Sequence, residues 1–146
     1  MFKHILLATD GSAACDQAAR TAVALARVHG ARLTAVYVVD PYPYLGIGQT
    51  NPMGFQAYMS AAHVHAGKAL ERAAELCDDG GPPVAMETRI VEETTAAHGI
   101  AQTARDEGAD LIVVGSHGHG ALRKLVLGSV TTKVLADASV PVLVVR

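Results

Sequence analysis

Two short apolar runs constrain the fold of this chain more than any other feature. One covers residues 4–9, His-Ile-Leu-Leu-Ala-Thr, and the other covers residues 110–114, Asp-Leu-Ile-Val-Val. Runs of this length, in which apolar residues are not separated by polar ones, are typical of strands that are buried on both faces. Such strands lie in parallel sheets that carry helices on either side, so these runs favour an α/β fold.

The rest of the chain alternates between helical and strand patterns. Apolar residues at helical spacing follow Ser12, a candidate N-cap, and stop before Gly30, and Gly108 ends another helical pattern. Residues 84–91 alternate in polarity, which predicts a half-exposed strand at a sheet edge. The other predicted strands are 32–39 and 140–145, and the later predicted helices are 55–77, 95–107 and 129–137. The order β-α-β-α-β-α-β-α-β predicts an open parallel sheet with helices on both faces.

Length and charge are typical of one small globular domain. The 146 residues match the usual size of a domain, and no linker or internal repeat divides residues 1–146. A formal net charge of −2 argues against a strongly basic nucleic-acid-binding surface. The N-terminal apolar run is too short for a signal peptide, and no stretch reaches the roughly 18 apolar residues of a membrane span. We therefore expect a cytoplasmic protein that binds neither nucleic acid nor membranes.

The two cysteines, Cys15 and Cys77, both fall within predicted helices. Two cysteines make no disulfide framework, so we expect free and buried thiols in a reducing compartment. A functional thiol pair is the alternative interpretation.

Residues 41–54 form an unusually long predicted connection between a strand and a helix. They contain three prolines and three glycines, which is typical of a loop. Connections in compact domains usually have about 4–6 residues, so a loop of this length predicts a lid or a surface for a partner.

Both apolar runs are followed at once by polar residues and glycines. The first run leads into Asp10-Gly11-Ser12, and the second leads into the segment 115–120, Gly-Ser-His-Gly-His-Gly. Open parallel sheets bind ligands at the carboxyl ends of their strands, where the direction of the connections reverses. If the two runs are neighbouring central strands, both loops line one crevice.

The glycine-rich segment has the composition of a phosphate site. Gly115 and Gly118 bracket Ser116 and His117, and nine residues further on Gly128 and Ser129 begin the last predicted helix. Glycine lets the backbone approach a phosphate closely, and a helix N-terminus offers N–H donors with a partial positive charge. Hydroxyl groups of Ser129 and Thr131 would add to these donors.

Other phosphate and catalytic motifs are missing. The chain lacks the P-loop pattern, and the dinucleotide pattern fails because the first strand is followed by Gly11 alone. The nucleophile-elbow pattern Gly-x-Ser-x-Gly is also absent. The sequence therefore predicts a phosphate-binding site that has neither a catalytic lysine nor a serine nucleophile.

The glycine segment resembles the motif of the universal stress protein family, which is Gly, two residues, Gly, nine residues, Gly, and then Ser or Thr. Here the motif reads Gly115-Ser-His-Gly118, residues 119–127, and Gly128-Ser129. The start of the chain at 5–12 and its end at 140–145 are also similar to the family. The resemblance therefore covers the whole chain.

This resemblance implies a Rossmann-like sheet with strand order 3-2-1-4-5 and, because the motif is intact, the ATP-binding subclass. It implies that Asp10 binds the ribose hydroxyls and that the backbone of Val38 meets the adenine edge, while the glycines and the last helix hold the phosphates. The complete expected set of ATP-binding residues is Thr9, Asp10, Val38, Gly115, His117, Gly118, Gly128, Ser129, Val130 and Thr131. Mg²⁺ or Mn²⁺ on the phosphates and a homodimer through the last strand, 140–146, are further implications.

Several alternatives stay open at this point. The histidine pairs His117/His119 and His63/His65 make poor metal sites, because each has only i, i+2 spacing and no further ligand. The chain could instead be a dimeric interaction protein that binds no nucleotide and acts through 41–54 and the last strand. An adenylating enzyme is a third possibility, although 146 residues leave little room for a substrate domain. Slow ATP hydrolysis, and the choice between ATP, ADP, AMP and a cyclic nucleotide, also remain open.

Overall fold

Strands and helices alternate along the parts of the chain that are described, which are residues 1–41, 52–116 and 127–146 of a computed structural model. The strands are β1 (His4–Ala8), β2 (Arg32–Val38), β3 (Met86–Val91), β4 (Leu111–Gly115) and β5 (Val142–Val145). The helices are α1 (Ala13–His29), α2 (Pro52–Asp78), α3 (Ala96–Glu107) and α4 (Ser129–Asp137). This order confirms the α/β prediction.

The five strands form one sheet in the order β3-β2-β1-β4-β5, and every pair is parallel. Ile5 of β1 lies opposite Leu33 of β2 on one side and opposite Leu111 of β4 on the other. The two apolar runs are therefore neighbours in the centre of the sheet. Both this pairing and the strand order implied by the family resemblance are confirmed.

Two apolar layers cover the two faces of the sheet. Ile5 and Leu7 point into a core formed with α1 and α2, whereas Leu6 points into a core formed with α3 and α4. All three side chains have no exposed surface. Because successive strand residues face opposite sides, a strand covered on both faces must be apolar throughout, which explains the unbroken runs.

The edge strand β3 is half exposed, as its alternating sequence predicts. It begins at Met86, two residues later than the predicted start at Val84. The backbone just before Met86 nevertheless already contacts β2: the Leu33 amide donates to the Ala85 carbonyl at 3.3 Å.

The N-termini of α2 and α1 differ from the predictions in different ways, α2 in its first residue and α1 in its capping hydrogen bond. Helix α2 begins at Pro52 rather than at residue 55, since proline has a suitable φ for the first helical position and needs no amide donor there. Residues 52–54 of the predicted loop 41–54 therefore belong to α2, and its residues 42–51 lie outside the described residues. Ser12 occupies the N-cap position of α1, but its hydroxyl makes no cap hydrogen bond.

Helix α3 lies close to the end of β2 because Gly99 has no side chain. A Cβ at Gly99 would lie 2.9 Å from Cγ2 of Val38 and 3.0 Å from Cγ2 of Thr94. The contact places the start of α3 beside the carboxyl end of the sheet.

We predict that Gly99→Val lowers the free energy of unfolding by about 2 kcal/mol or more, because the added atoms overlap Val38 and Thr94. Gly67→Val is the matched control, since a Cβ at helical Gly67 would have no neighbour within 4 Å. Urea unfolding of both variants measures the difference. Equal losses in the two variants would contradict the packing argument.

Candidate functional site

A cavity of about 420 Å³ opens at the carboxyl ends of β1, β2 and β4. This volume falls in the range of small-molecule sites. Among the residues that line it are eight of the expected set: Thr9, Asp10, Val38, Gly115, Gly128, Ser129, Val130 and Thr131. The other two expected residues, His117 and Gly118, lie outside the described residues.

The walls of the cavity differ in polarity. Buried Ala8, Val36 and Val114 line it from the strands, and Ile100 lines it from α3. Polar groups are supplied by the segments that follow the strands, notably Asp10. One part of the cavity is therefore apolar, while another presents a carboxylate and the start of α4.

Several lining residues were not found from the sequence. Asp40 lies two residues after the end of β2 at Val38, so the rule that ligands bind after strand ends could have identified it. Ala96 and Ile100 lie on α3, and Cys15 lies on α1. Nothing in their local sequence signals a site, because only the packing of these helices on the sheet brings them to the cavity.

The Asp10 side chain is held in a defined orientation. Its Oδ1 accepts hydrogen bonds from the Ser12 amide at 2.8 Å and from the Cys15 thiol at 3.0 Å. Burial and the neighbouring Asp10 carboxylate raise the pKa of the Cys15 thiol to about 11. The thiol is therefore protonated at neutral pH and can act as a donor. Asp10 thus organises the turn after β1 and lines the cavity at the same time.

Helix α2 supports this side of the cavity from outside. The Tyr58 hydroxyl donates to the Asp40 carbonyl at 2.8 Å, and His65 Nε2 donates to the Asp10 carbonyl at 3.0 Å. The His65 ring also packs edge-on against Tyr37, with the ring centroids 5.7 Å apart. These contacts connect α2 to the ends of β1 and β2.

The N-terminus of α4 faces the cavity. The Gly128 amide donates to the Ser116 carbonyl at 2.7 Å, so this amide is not available to a ligand. The amides of Ser129, Val130 and Thr131 have no acceptor among the residues that the structure describes. The first turn of a helix lacks internal acceptors for its amides and carries a partial positive charge. This end of the cavity therefore suits an anionic group.

The Thr131 hydroxyl makes a contact that the sequence alone does not predict. It is buried and donates to the Gly115 carbonyl at 2.7 Å, which ties α4 to the end of β4. The hydroxyl proton is therefore engaged with the protein, and the expected contact of Thr131 with a phosphate stays a prediction. The Thr131 amide still lies in the first turn of α4.

Within the described ranges 1–41, 52–116 and 127–146, no group of three or more His, Cys, Asp or Glu side chains could hold a metal ion. His63 contacts Glu92, whereas His65 contacts Asp10, so this pair has separate partners. The pair His117/His119 lies outside the described residues. In the same described ranges, no helix has the length and apolar composition needed to cross a membrane.

Comparisons with known proteins agree on one family. The model of the universal stress protein family matches residues 1–146. A universal stress protein of Thermus aquaticus is 42% identical over 151 residues, which cover all of both chains. The solved structure of a universal stress protein from Lactobacillus plantarum is 30% identical with a TM-score of 0.86, and the match covers 99% of this chain and 97% of that one.

A further solved structure has the same fold at lower identity. It is the universal stress protein of Archaeoglobus fulgidus in complex with dAMP, with 19% identity and a TM-score of 0.69. The match covers 99% of this chain and 98% of that one. At this identity the likeness concerns the fold alone.

We predict that Thr131→Val lowers the free energy of unfolding by about 1–2 kcal/mol, because the buried Gly115 carbonyl loses its donor. Thr132→Val is the matched control: Thr132 is exposed, and its hydroxyl donates to the Gly128 carbonyl at 3.0 Å. We expect this control to change the free energy by less than about 0.5 kcal/mol. Chemical denaturation measures both, and an equal effect would contradict the role of the buried bond.

Proposed function

Because this chain belongs to the universal stress protein family, we propose that residues 1–146 act as one cytoplasmic nucleotide-binding domain that holds ATP at the crevice between β1 and β4. The observation that carries the proposal is the cavity of about 420 Å³, because it gathers eight residues that the family resemblance implies for ATP. Those residues come from four separate parts of the chain. The relative with dAMP is one member of this fold whose ligand is an adenine nucleotide.

The chemistry of the cavity walls matches the parts of the nucleotide. The apolar surface of Val36, Val114 and Ile100 suits a flat adenine ring. The Asp10 carboxylate suits the two ribose hydroxyls, because an ionised carboxylate is a strong hydrogen-bond acceptor. The Val38 backbone would meet the adenine edge.

The N-terminus of α4 suits the phosphates. The amides of Ser129, Val130 and Thr131 would donate to phosphate oxygens, with the helix dipole adding to their attraction. The glycines of the motif, Gly115, Gly118 and Gly128, would allow close approach of the chain. Mg²⁺ or Mn²⁺ would be held by the phosphate oxygens, which are ligands that Mg²⁺ prefers.

We propose a regulatory binding module rather than a dedicated enzyme. The sequence carries no P-loop lysine and no serine in a nucleophile elbow, and phosphoryl-transfer enzymes depend on such positioned groups. Binding of ATP would stabilise this conformation of the site and so signal the nucleotide state to a partner. The competing function, an interaction protein without nucleotide, predicts that the cavity stays unused.

Titration calorimetry with Mg-ATP tests the site. We expect the wild type to bind, and we expect Asp10→Ala to weaken binding about tenfold or more, because hydrogen bonds to a charged group are lost. Asp137→Ala, at the far end of α4, removes the same charge and serves as the control. Mass spectrometry of small molecules released from denatured protein identifies a carried nucleotide. No heat and no released nucleotide would contradict the proposal.

We also propose a homodimer that forms through the last strand, 140–146. In the described sheet β5 is an edge strand, and the side chain of Leu143 is 36% exposed on it. An exposed apolar edge strand favours pairing with another chain.

Leu143→Arg should shift the protein to monomer, because a charge would be buried in that interface. Ile90→Arg, on the opposite edge strand β3 and 39% exposed, is the matched control. Sedimentation velocity at micromolar concentration measures the oligomeric state. A wild type that is monomeric, or a dimer that both variants leave intact, would argue against this interface.

A further inference from the structure

The Cys15 thiol touches both the cavity and the carboxylate that the proposed nucleotide site uses. It lies on the first turn of α1, lines the cavity, and donates to Asp10 Oδ1 at 3.0 Å. The contact is reciprocal, since the Asp10 amide lies 3.5 Å from Cys15 Sγ and donates to it. Side chain and backbone of Asp10 therefore both meet one sulfur atom.

Two donors define the Asp10 carboxylate more tightly than one. The terminal torsion of an aspartate is broad, so a single hydrogen bond from the Ser12 amide to Oδ1 still leaves the carboxylate a range of rotation about its Cβ–Cγ bond. The Cys15 thiol reaches the same oxygen from a different residue and limits this rotation. The carboxylate is then preorganised, which lowers the cost of ordering it when a ligand binds.

The other cysteine shows that burial alone does not produce this contact. Cys77 is also a buried free thiol, but its Sγ lies 3.7 Å from Met86 Sδ, which is a weak acceptor. It is not among the residues that line the cavity. The chain therefore contains one thiol bound to a cavity carboxylate and one thiol that serves packing.

We infer that Cys15 is a positioning residue: its S–H group holds the Asp10 carboxylate in the orientation that binds the ribose hydroxyls of the nucleotide. This inference rests on the proposed ATP site. In this role Cys15 increases the selectivity of the site for the ribose hydroxyls and does not contribute to the binding of adenine or phosphate. Truncation to alanine would let the carboxylate rotate and would leave the other contacts in place.

The first experiment compares ATP with 2′,3′-dideoxy-ATP, which lacks both ribose hydroxyls, by titration calorimetry with Mg²⁺. The preference for ribose hydroxyls is the dissociation constant of 2′,3′-dideoxy-ATP divided by that of ATP. We expect Cys15→Ala to lower this ratio about fivefold, through weaker ATP binding, since the Asp10 carboxylate must then be ordered when the ribose binds. Cys15→Ser should keep the ratio within about twofold, because a hydroxyl is also a donor. Cys77→Ala is the matched control and should leave the ratio unchanged.

A second measurement needs no nucleotide. The S–H stretching band of Cys15, identified by its loss in Cys15→Ala, should lie at lower frequency than that of Cys77, because a carboxylate accepts more strongly than a thioether. Asp10→Ala should move the Cys15 band upward and leave the Cys77 band in place. Identical bands, or no response to Asp10→Ala, would overturn the inference even if the variants bind nucleotide poorly.

The outcomes separate this inference from the proposed function. If Asp10→Ala abolishes the preference for ATP while Cys15→Ala retains it, Cys15 has no positioning role and the nucleotide site stands. If Asp10→Ala itself retains the preference, the proposed ribose contact is wrong, and the inference is wrong with it. A wild type that binds neither nucleotide overturns the ATP site and the role assigned to Cys15 together.

Discussion

The parallel pairing of β1 with both β2 and β4 is the constraint on which the candidate site depends. All strands run in one direction, so their carboxyl ends meet at one edge of the sheet. From β1 the chain continues into α1 on one face, whereas the helix after β4, α4, packs on the other face. The two connections diverge and leave a crevice, which the apolar clusters on both faces of the sheet hold in place.

Hydrogen bonding at this crevice separates groups that maintain the fold from groups that can meet a ligand. The Gly115 carbonyl is bound by the Thr131 hydroxyl, and the Ser116 carbonyl is bound by the Gly128 amide, which together attach α4 to β4. The amides of Ser129, Val130 and Thr131 belong to residues that line the cavity and have no acceptor among the described residues. On the other side, the turn after β1 holds Asp10 Oδ1 with two donors. Such an arrangement is rigid before any ligand arrives, which suits the nucleotide site proposed for this member of the universal stress protein family.

Local sequence predicted most of the fold, and its errors have physical causes. The glycines at 30 and 108 predict two helix ends, and the structure confirms both, since each adopts a left-handed φ angle, 65° and 69°, that suits glycine. Helix α2 starts at Pro52, before the residue 55 that the sequence predicts, because proline is typical of loops but also fits the first helical position. The sequence alone also does not show where the Thr131 hydroxyl donates: a hydroxyl near a helix start has several possible acceptors, and only the three-dimensional structure reveals the Gly115 carbonyl as its acceptor.

The sequence by itself determined the α/β class, the central position of the two apolar runs and the residues at the strand ends, because these follow from local periodicity and glycine spacing. The strand order was implied by the family resemblance, and the sheet confirms it. Only the tertiary structure decided that Ile100 and Cys15 join the cavity, and that the Gly128 amide is already bound to the protein. Contacts of this kind depend on how helices pack across the sheet, and no short stretch of sequence encodes a distance between residues that are far apart in the chain.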